Sequence, residues 1–167
     1  MKSIEIERKY VIAKPGEIEL KSCDEYCVSE IEQIYLSAPE GQTLRIRKRK
    51  YESHTEYIRT HKKRIDAISS VETEDIITRE EYDKLSREIL HGTRPIYKKR
   101  HTFKYLGQLF EIDEYPEWKR SCVMETELES HEQDVAFPDF IRVIKEVSGD
   151  FRYSNASLSR VFPGELI

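Results

Sequence analysis

Glu5, Glu7 and Lys9 occupy every second position of the stretch SIEIERKYVI (3 to 12), and that spacing of charge recurs along the chain. Arg45 and Arg47, Thr60 and Lys62, Glu72 and Glu74, Lys98 and Arg100, Glu111 and Asp113, and Glu125 and Glu127 each stand two apart. In a β-strand such residues share a face. An ordinary antiparallel sheet with one wet face explains any one of these pairs. It does not explain the set, because like charges on one face repel unless a counter-charge or ligand compensates them. Carboxylates grouped on one wall suit hard divalent cations, which take oxygen ligands. Arg and Lys on other walls suit phosphoryl oxygens, Arg through its bidentate fork and Lys as a point charge. Acids for metal and bases for phosphate together point to a nucleotide or a polyphosphate.

The elements that must position these side chains follow from the same alternation. Strands are expected over 4 to 11, 32 to 37, 43 to 50, 55 to 63, 71 to 77, 96 to 105, 108 to 115 and 122 to 129. In most of them the other face is apolar, as with Ile4 and Ile6, Leu44 and Ile46, or Phe110 and Ile112. The exceptions are Thr73 with Asp75, and Tyr97 with Lys99. Thr78, followed by Arg79, Glu80 and Glu81, reads as a helix N-cap with a capping-box Glu, opening a helix to about Leu90. The apolar spacing of PDFIRVIKEVSG predicts a second helix from Pro138, ended by Gly149. A short helical piece is expected over 155 to 161. Eight antiparallel strands can close on themselves, so the expected fold class is α+β, an eight-stranded antiparallel closed β-barrel with a polar, charged interior and flanking helices, the form that the family resemblance given below implies and one that encloses ligand space.

A length of 167 residues fits one domain. The 28 basic and 32 acidic residues nearly cancel, which argues against a non-specific nucleic-acid or membrane binder. No apolar run is long enough for a membrane span, and the N-terminus lacks the apolar stretch of a signal peptide, so a cytoplasmic location is expected. Cys23, Cys27 and Cys122 are an odd number without metal-site spacing and read as free thiols.

EIERK at 5 to 9 resembles the Glu-x-Glu-x-Lys signature of the CYTH superfamily, the triphosphate tunnel metalloenzymes. The likeness continues in order through QIYL (33 to 36), LRIR (44 to 47), RTHK (59 to 62), ETE (72 to 74), KKR (98 to 100), FEIDEY (110 to 115), METEL (124 to 128) and KEVSGDFRYSN (145 to 155). The resemblance implies a triphosphate bound inside a charged barrel. Lys9, Arg45, Arg47, Lys62, Lys98 and Arg100 would grip phosphates. Glu5, Glu7, Glu125 and Glu127 would hold one or two Mg²⁺ or Mn²⁺ ions. Glu72, Glu74, Glu111 and Asp113 would form a supporting acidic wall. Tyr35 matches a family tyrosine that partners the motif lysine, here Lys9, and with Glu127 these two complete the expected catalytic set. DFRYSNASLS resembles the plug-helix region that closes one end of the tunnel. The chain departs from the family pattern at Ala156, where many members carry Lys, at Ser70, often Arg, and at Ile34, often Gly.

The expected activity is metal-dependent hydrolysis of inorganic triphosphate or a related organic triphosphate. Alternatives are a class IV-type adenylate cyclase, a thiamine triphosphatase, and a non-catalytic polyphosphate- or nucleotide-binding module. No aromatic clamp for thiamine is assignable, Trp118 lying after the FEIDEYP strand near a barrel rim. The only partner implied is the small-molecule triphosphate, with no nucleic acid and no membrane; a homodimer stays open.

Overall fold

β1 (Lys2–Ala13) pairs with two different strands on one edge, and that switch organises the molecule. The computed structural model describes residues 1–167. After β1 come α1 (Glu17–Lys21), β2 (Asp24–Leu36), β3 (Gln42–Lys50), β4 (Thr55–Arg64), β5 (Ser69–Ile76), α2 (Arg79–Ser86), β6 (Ile96–Tyr105), β7 (Gln108–Glu114), β8 (Ser121–Glu127) and β9 (Val143–Glu146). A 3-10 turn (Phe151–Tyr153) and α3 (Asn155–Leu158) follow. The hydrogen-bonded order is β5-β4-β3-β2-β6-β7-β8-β1, and β1 pairs back onto β5, closing eight antiparallel strands into a barrel. Residues 2 to 6 of β1 face β5, and residues 7 to 13 face β8.

The β6–β7 hairpin turns through Leu106 (φ 50°) and Gly107 (φ 76°). Positive φ at both central residues is the twist-matched two-residue turn, and it sets Arg100 opposite Asp113. The Thr78 capping box forms as expected, with Glu81 N donating to Thr78 Oγ1 at 3.1 Å and Thr78 N donating to Glu81 Oε2 at 2.7 Å.

The apolar faces of the strands point outward and are covered in two places. α2 lays Tyr82 over Ile34, Leu36 and Ile46 of β2 and β3. α1, through Leu20, and the 135–141 segment cover Tyr10, Ile12, Phe103, Phe110, Ile112 and Met124. A third cluster lies at one end of the barrel, where Val11, Tyr35, Ile96, Tyr115, Trp118 and Val123 meet Tyr153 and Leu158. The interior is thus charged along most of its length and plugged with apolar side chains at one end, a limit on the uniformly polar interior expected from alternation.

The helix expected from Pro138 is absent. Asp139 and Phe140 form a turn, and Val143–Glu146 is the strand β9, paired with β1 through Val11↔Lys145. The reason is the switch in β1. Once β1 leaves β5 after Ile6, the backbone of residues 10 to 12 is bare on that side, and a strand satisfies it where a helix would not. The apolar residues that mimicked a helical stripe go to different places: Phe140 and Ile141 join the outer cluster, Ile144 and Val147 the plug. Gly149 (φ 75°) makes a turn after β9. β2 also begins earlier than expected, because Asp24–Ile31 pairs with β6 across an irregularity between Asp24 and Cys27. α2 and α3 are shorter than expected, ending at Ser86 and Leu158. All three cysteines are free. No helix is long and apolar enough to cross a membrane.

Candidate active site

Strand order converts the charge pairs of the sequence into two half-barrels. Around the wall, β7 (Glu111, Asp113), β8 (Glu125, Glu127), β1 (Glu5, Glu7) and β5 (Glu72, Glu74) are consecutive and carry the carboxylates. Of the other four strands, β4 (Lys62), β3 (Arg45, Arg47) and β6 (Lys98, Arg100) carry cations and β2 places Tyr35 among them, while one further cation, Lys9, comes from β1 on the acidic side. The two arcs enclose a cavity of about 560 Å³, ample for a triphosphate with its ions and waters. Thirteen of the expected site residues line it: Glu5, Glu7, Lys9, Tyr35, Arg45, Arg47, Lys62, Glu72, Glu74, Arg100, Glu111, Glu125 and Glu127.

Opposite charges pair where the arcs meet. At the β4–β5 seam, Lys62 lies 3.3 Å from Glu72 and, across the cavity edge, 3.5 Å from Glu7. At the β6–β7 seam, Arg100 donates to Glu111 at 2.7 Å and to both oxygens of Asp113 at 2.7 and 2.8 Å. Lys98 and Asp113 stand behind this wall and are not part of the cavity lining. The Lys98 side chain is fully buried, donating to Asp113 at 2.7 Å and to Asn155 of α3 at 3.4 Å. Tyr115 donates to the same Asn155 oxygen at 2.6 Å, so this network fixes the plug to the cationic arc. Burial opposes ionisation of Asp113, but Arg100 and Lys98 outweigh it and hold the carboxyl well below its usual range. Burial and the Arg100 charge pull Lys98 down to about 7, against the attraction of Asp113.

Away from the seams, Lys9 pairs with Glu125, and much of the remaining charge is uncompensated. Arg47 is buried, makes no ion pair, and spends its Nε and Nη2 donors on Gln33 Oε1 at 3.1 and 3.0 Å. Burial, then repulsion from Arg45 and Arg100, lowers it to about 9. Arg45 keeps a buried Nε with no hydrogen-bond partner. The acidic arc shows the reverse. Glu7 and Glu127 are direct cross-strand partners, which sets their Cβ atoms roughly 4.5–5.5 Å apart. Repulsion from Glu125, then burial, raises Glu7. Burial, then Glu72, Glu127 and Glu7, raises Glu5 to about 7. Glu127 is raised by burial and by Glu111, Glu72 and Glu125. Glu125 differs: burial would raise it, but Lys9 at 3.1 Å and Arg100 prevail and keep it low. Lys9 is correspondingly held above its ordinary value by Glu125 and Glu7, against burial.

Tyr35 and Lys9 do not hydrogen-bond to each other. β1 and β2 lie four strands apart in either direction, so the two side chains project from opposite walls. Tyr35 is paired in register with Arg45 and accepts from Gln33 Nε2 at 2.8 Å, while Lys9 Nζ contacts Glu125 and the Tyr153 carbonyl at 3.4 Å. Sequence reasoning missed Arg49 and Arg64, which also line the cavity. The signal was present, since they continue the faces of Arg45 and Arg47 and of Thr60 and Lys62. It also missed Phe151 and the anchoring Asn155. Trp118 belongs to the apolar plug, its indole donating to the Pro163 carbonyl at 3.1 Å, and takes no part in the cavity.

No three acidic, histidine or cysteine side chains converge into a ready-made metal cage. That does not exclude Mg²⁺, which binds through one or two carboxylates and completes its shell with waters and substrate phosphates. The crowded oxygen donors of Glu5, Glu7 and Glu127, raised by burial and by one another's charge even with Lys62 beside Glu7, fit such an ion.

The sequence matches the CYTH domain over residues 3–162. Among solved structures, the chain is similar to the inorganic triphosphatase NE1496, at 29% identity over 96% of this chain and 97% of that one, with a TM-score of 0.60. It is also similar to the PH1819 protein of Pyrococcus horikoshii, at 23% identity over 77% and 80% of the two chains, TM-score 0.55. A candidate adenylate cyclase from Bacillus halodurans shares the fold at 18% identity over 78% and 83%, TM-score 0.51. No curated protein matches.

Proposed function

The chain belongs to the CYTH domain family, and on that premise we propose that it is a metal-dependent triphosphatase that cleaves a terminal phosphoryl group inside the barrel. The carrying observation is the division of one cavity into a cationic and an anionic half, each with unpaired charge at its centre. A polyanion alone would satisfy only Arg45 and Arg47. A divalent cation alone would satisfy only Glu5, Glu7 and Glu127. A triphosphate lying between the halves with its ion satisfies both. The similarity to an inorganic triphosphatase over nearly the full length of both chains supports the same reading.

In this reading Arg45, Arg47, Lys62 and Arg100 hold the phosphate oxygens, and the guanidinium planes set the chain of phosphorus atoms along the β3–β6 wall. Glu5, Glu7 and Glu127 would hold Mg²⁺ or Mn²⁺, which supplies Lewis-acid chemistry by drawing charge from phosphoryl oxygens and acidifying water. Asp113 and Glu111 aim Arg100. Lys98 carries no phosphate role here; it anchors Asp113 and the plug. Lys9 and Tyr35, on opposite walls, contact a substrate between them rather than each other, Lys9 neutralising charge on the phosphate and Tyr35 placing a phenol at the other side. The apolar plug excludes water from one end and strengthens every charge interaction inside.

Orthophosphate release from inorganic triphosphate, ATP and thiamine triphosphate, with Mg²⁺, Mn²⁺ or chelator, tests the proposal, with cyclic AMP measured in parallel. Metal-dependent orthophosphate release from at least one triphosphate is expected. Cyclic AMP with pyrophosphate as the sole product would replace hydrolysis by cyclisation, and binding without turnover would leave a sensor.

Proton linkage supplies a second prediction. Because Glu5 is raised to about 7, a substantial fraction of it is protonated at neutral pH, and that proton must leave when an ion binds. Calorimetry in buffers of different ionisation enthalpy should therefore show proton release on Mg²⁺ binding near pH 7 that fades by about pH 9. Affinity should fall as pH drops below 7, and the release should shrink in Glu5→Gln. Buffer-independent binding heats at pH 7 would contradict this placement of the ion.

A further inference from the structure

Two aromatic rings line the charged cavity, and they differ in exposure. Tyr35 is buried in the wall, whereas Phe151 is 69% exposed. The other rings near this end pack on one another, as Trp118 does against Tyr115, Tyr153 and Phe162. The Phe151 ring has no aromatic partner, and its apolar surface is not spent on the core. A single exposed hydrophobe is ordinary on a protein surface. This one sits on a cavity of charged side chains and is held there firmly. Asp150 caps the 3-10 turn by accepting from Arg152 N at 3.2 Å, and the Arg152 guanidinium clamps Asp150 at 2.9 and 2.6 Å. The segment is tied to the barrel beside the active site, with Val147 N donating to the Lys9 carbonyl at 2.8 Å and Lys9 N donating to Ser148 Oγ at 2.9 Å.

We propose that Phe151 is the stacking platform for a planar aromatic group esterified to the triphosphate, and so sets preference for organic over inorganic triphosphates. The inference rests on the triphosphate reading above. With the phosphates on Arg45, Arg47 and Lys62, Phe151 stands on the rim of the same cavity, next to the plug and in one cleft with Lys9 and Lys62, where a group carried on the end of the chain would meet its ring. A base or heterocycle stacked there gains an aromatic contact that inorganic triphosphate lacks. Such contacts are lost on alanine substitution at a cost of roughly 5- to 100-fold in affinity.

Binding, which needs no turnover, tests this. Calorimetry in Mg²⁺ would compare imidotriphosphate and the β,γ-imido analogues of ATP and of thiamine triphosphate on the wild-type chain, Phe151→Ala and Phe151→Trp. Phe151→Ala should weaken an aromatic ligand by about 5- to 100-fold and leave imidotriphosphate within twofold, while Phe151→Trp retains or tightens the aromatic ligand. The adenosine and thiamine arms report which ring the platform takes. Equal changes for aromatic and inorganic ligands, or none for the aromatic ones, overturn the proposal while leaving the triphosphate site intact. Failure of the wild-type chain to bind any of the three removes the triphosphate reading itself, and the platform with it.

Discussion

Glu127→Gln should lower metal-dependent turnover by about 10³-fold while leaving the barrel folded. Glu127 stands at the centre of the acidic arc, opposite Glu7, without an ion pair of its own. The amide preserves shape and hydrogen bonding but withdraws the charge that holds the cation, and loss of several kcal/mol of transition-state stabilisation corresponds to about that factor. Stability should move the other way. Burial and neighbouring carboxylates raise the Glu127 pKa in the folded state, so its ionisation costs the fold stability as pH rises through that value. The glutamine lacks that cost, and the variant's melting temperature at pH 8 should equal or exceed that of the parent. Orthophosphate release and thermal unfolding measured together check both halves. Turnover within tenfold of the parent would remove Glu127 from the site.

Asp113→Ala should have the largest effect on stability, about 3–5 kcal/mol. Asp113 is 1% exposed and accepts from Lys98 once and from Arg100 twice. Removing it leaves Lys98 and Arg100 buried side by side, with Glu111 the one carboxylate still hydrogen-bonded to Arg100. Its pKa is depressed, so the stability it confers is present above its unfolded value of about 3.9 and is lost only as pH falls below that, through the folded value. In urea titrations the destabilisation should be largest near pH 5, where Lys98 is charged, and shrink toward pH 8 as Lys98, held near 7 in the parent and lower without Asp113, sheds its proton. A loss below about 1 kcal/mol would mean that the network relaxes without its carboxylate. Lys98→Met, which keeps the Arg100 fork satisfied, should cost less and loosen mainly the contact with Asn155.

Most of the barrel was legible because its strands alternate without interruption, and period-two charge survives any uncertainty in strand ends. LRIRKRK shows its cationic face regardless of how β3 is paired. What alternation could not show was order around the wall. That the carboxylates occupy four consecutive strands depends on β2 pairing with β6 and on β1 bridging β8 and β5, which are long-range events with no local signal. The same ignorance misplaced Lys98, which shares a face with Arg100 but lies one step deeper, behind Asp113. Tyr35 was paired with Lys9 by resemblance; the two come from opposite walls without a direct hydrogen bond, yet the phenol is close enough to act on the Lys9 charge. The segment after Pro138 failed for a different reason: its apolar residues serve two clusters on opposite sides of the wall, and their spacing imitates a helix by coincidence. Phe151 escaped notice because a single aromatic residue in a polar loop has no pattern to mark it.

The central claim is that a triphosphate and a divalent ion lie together between the two charged arcs. A crystal structure of the chain with Mg²⁺ and imidotriphosphate measures this most directly. The account predicts phosphate density inside the barrel, touching Arg45, Arg47 and Lys62, with the ion on the side of Glu5, Glu7 and Glu127. An empty barrel with the ligand on its outer surface, or phosphates lying against the carboxylate arc with no ion between, would contradict it.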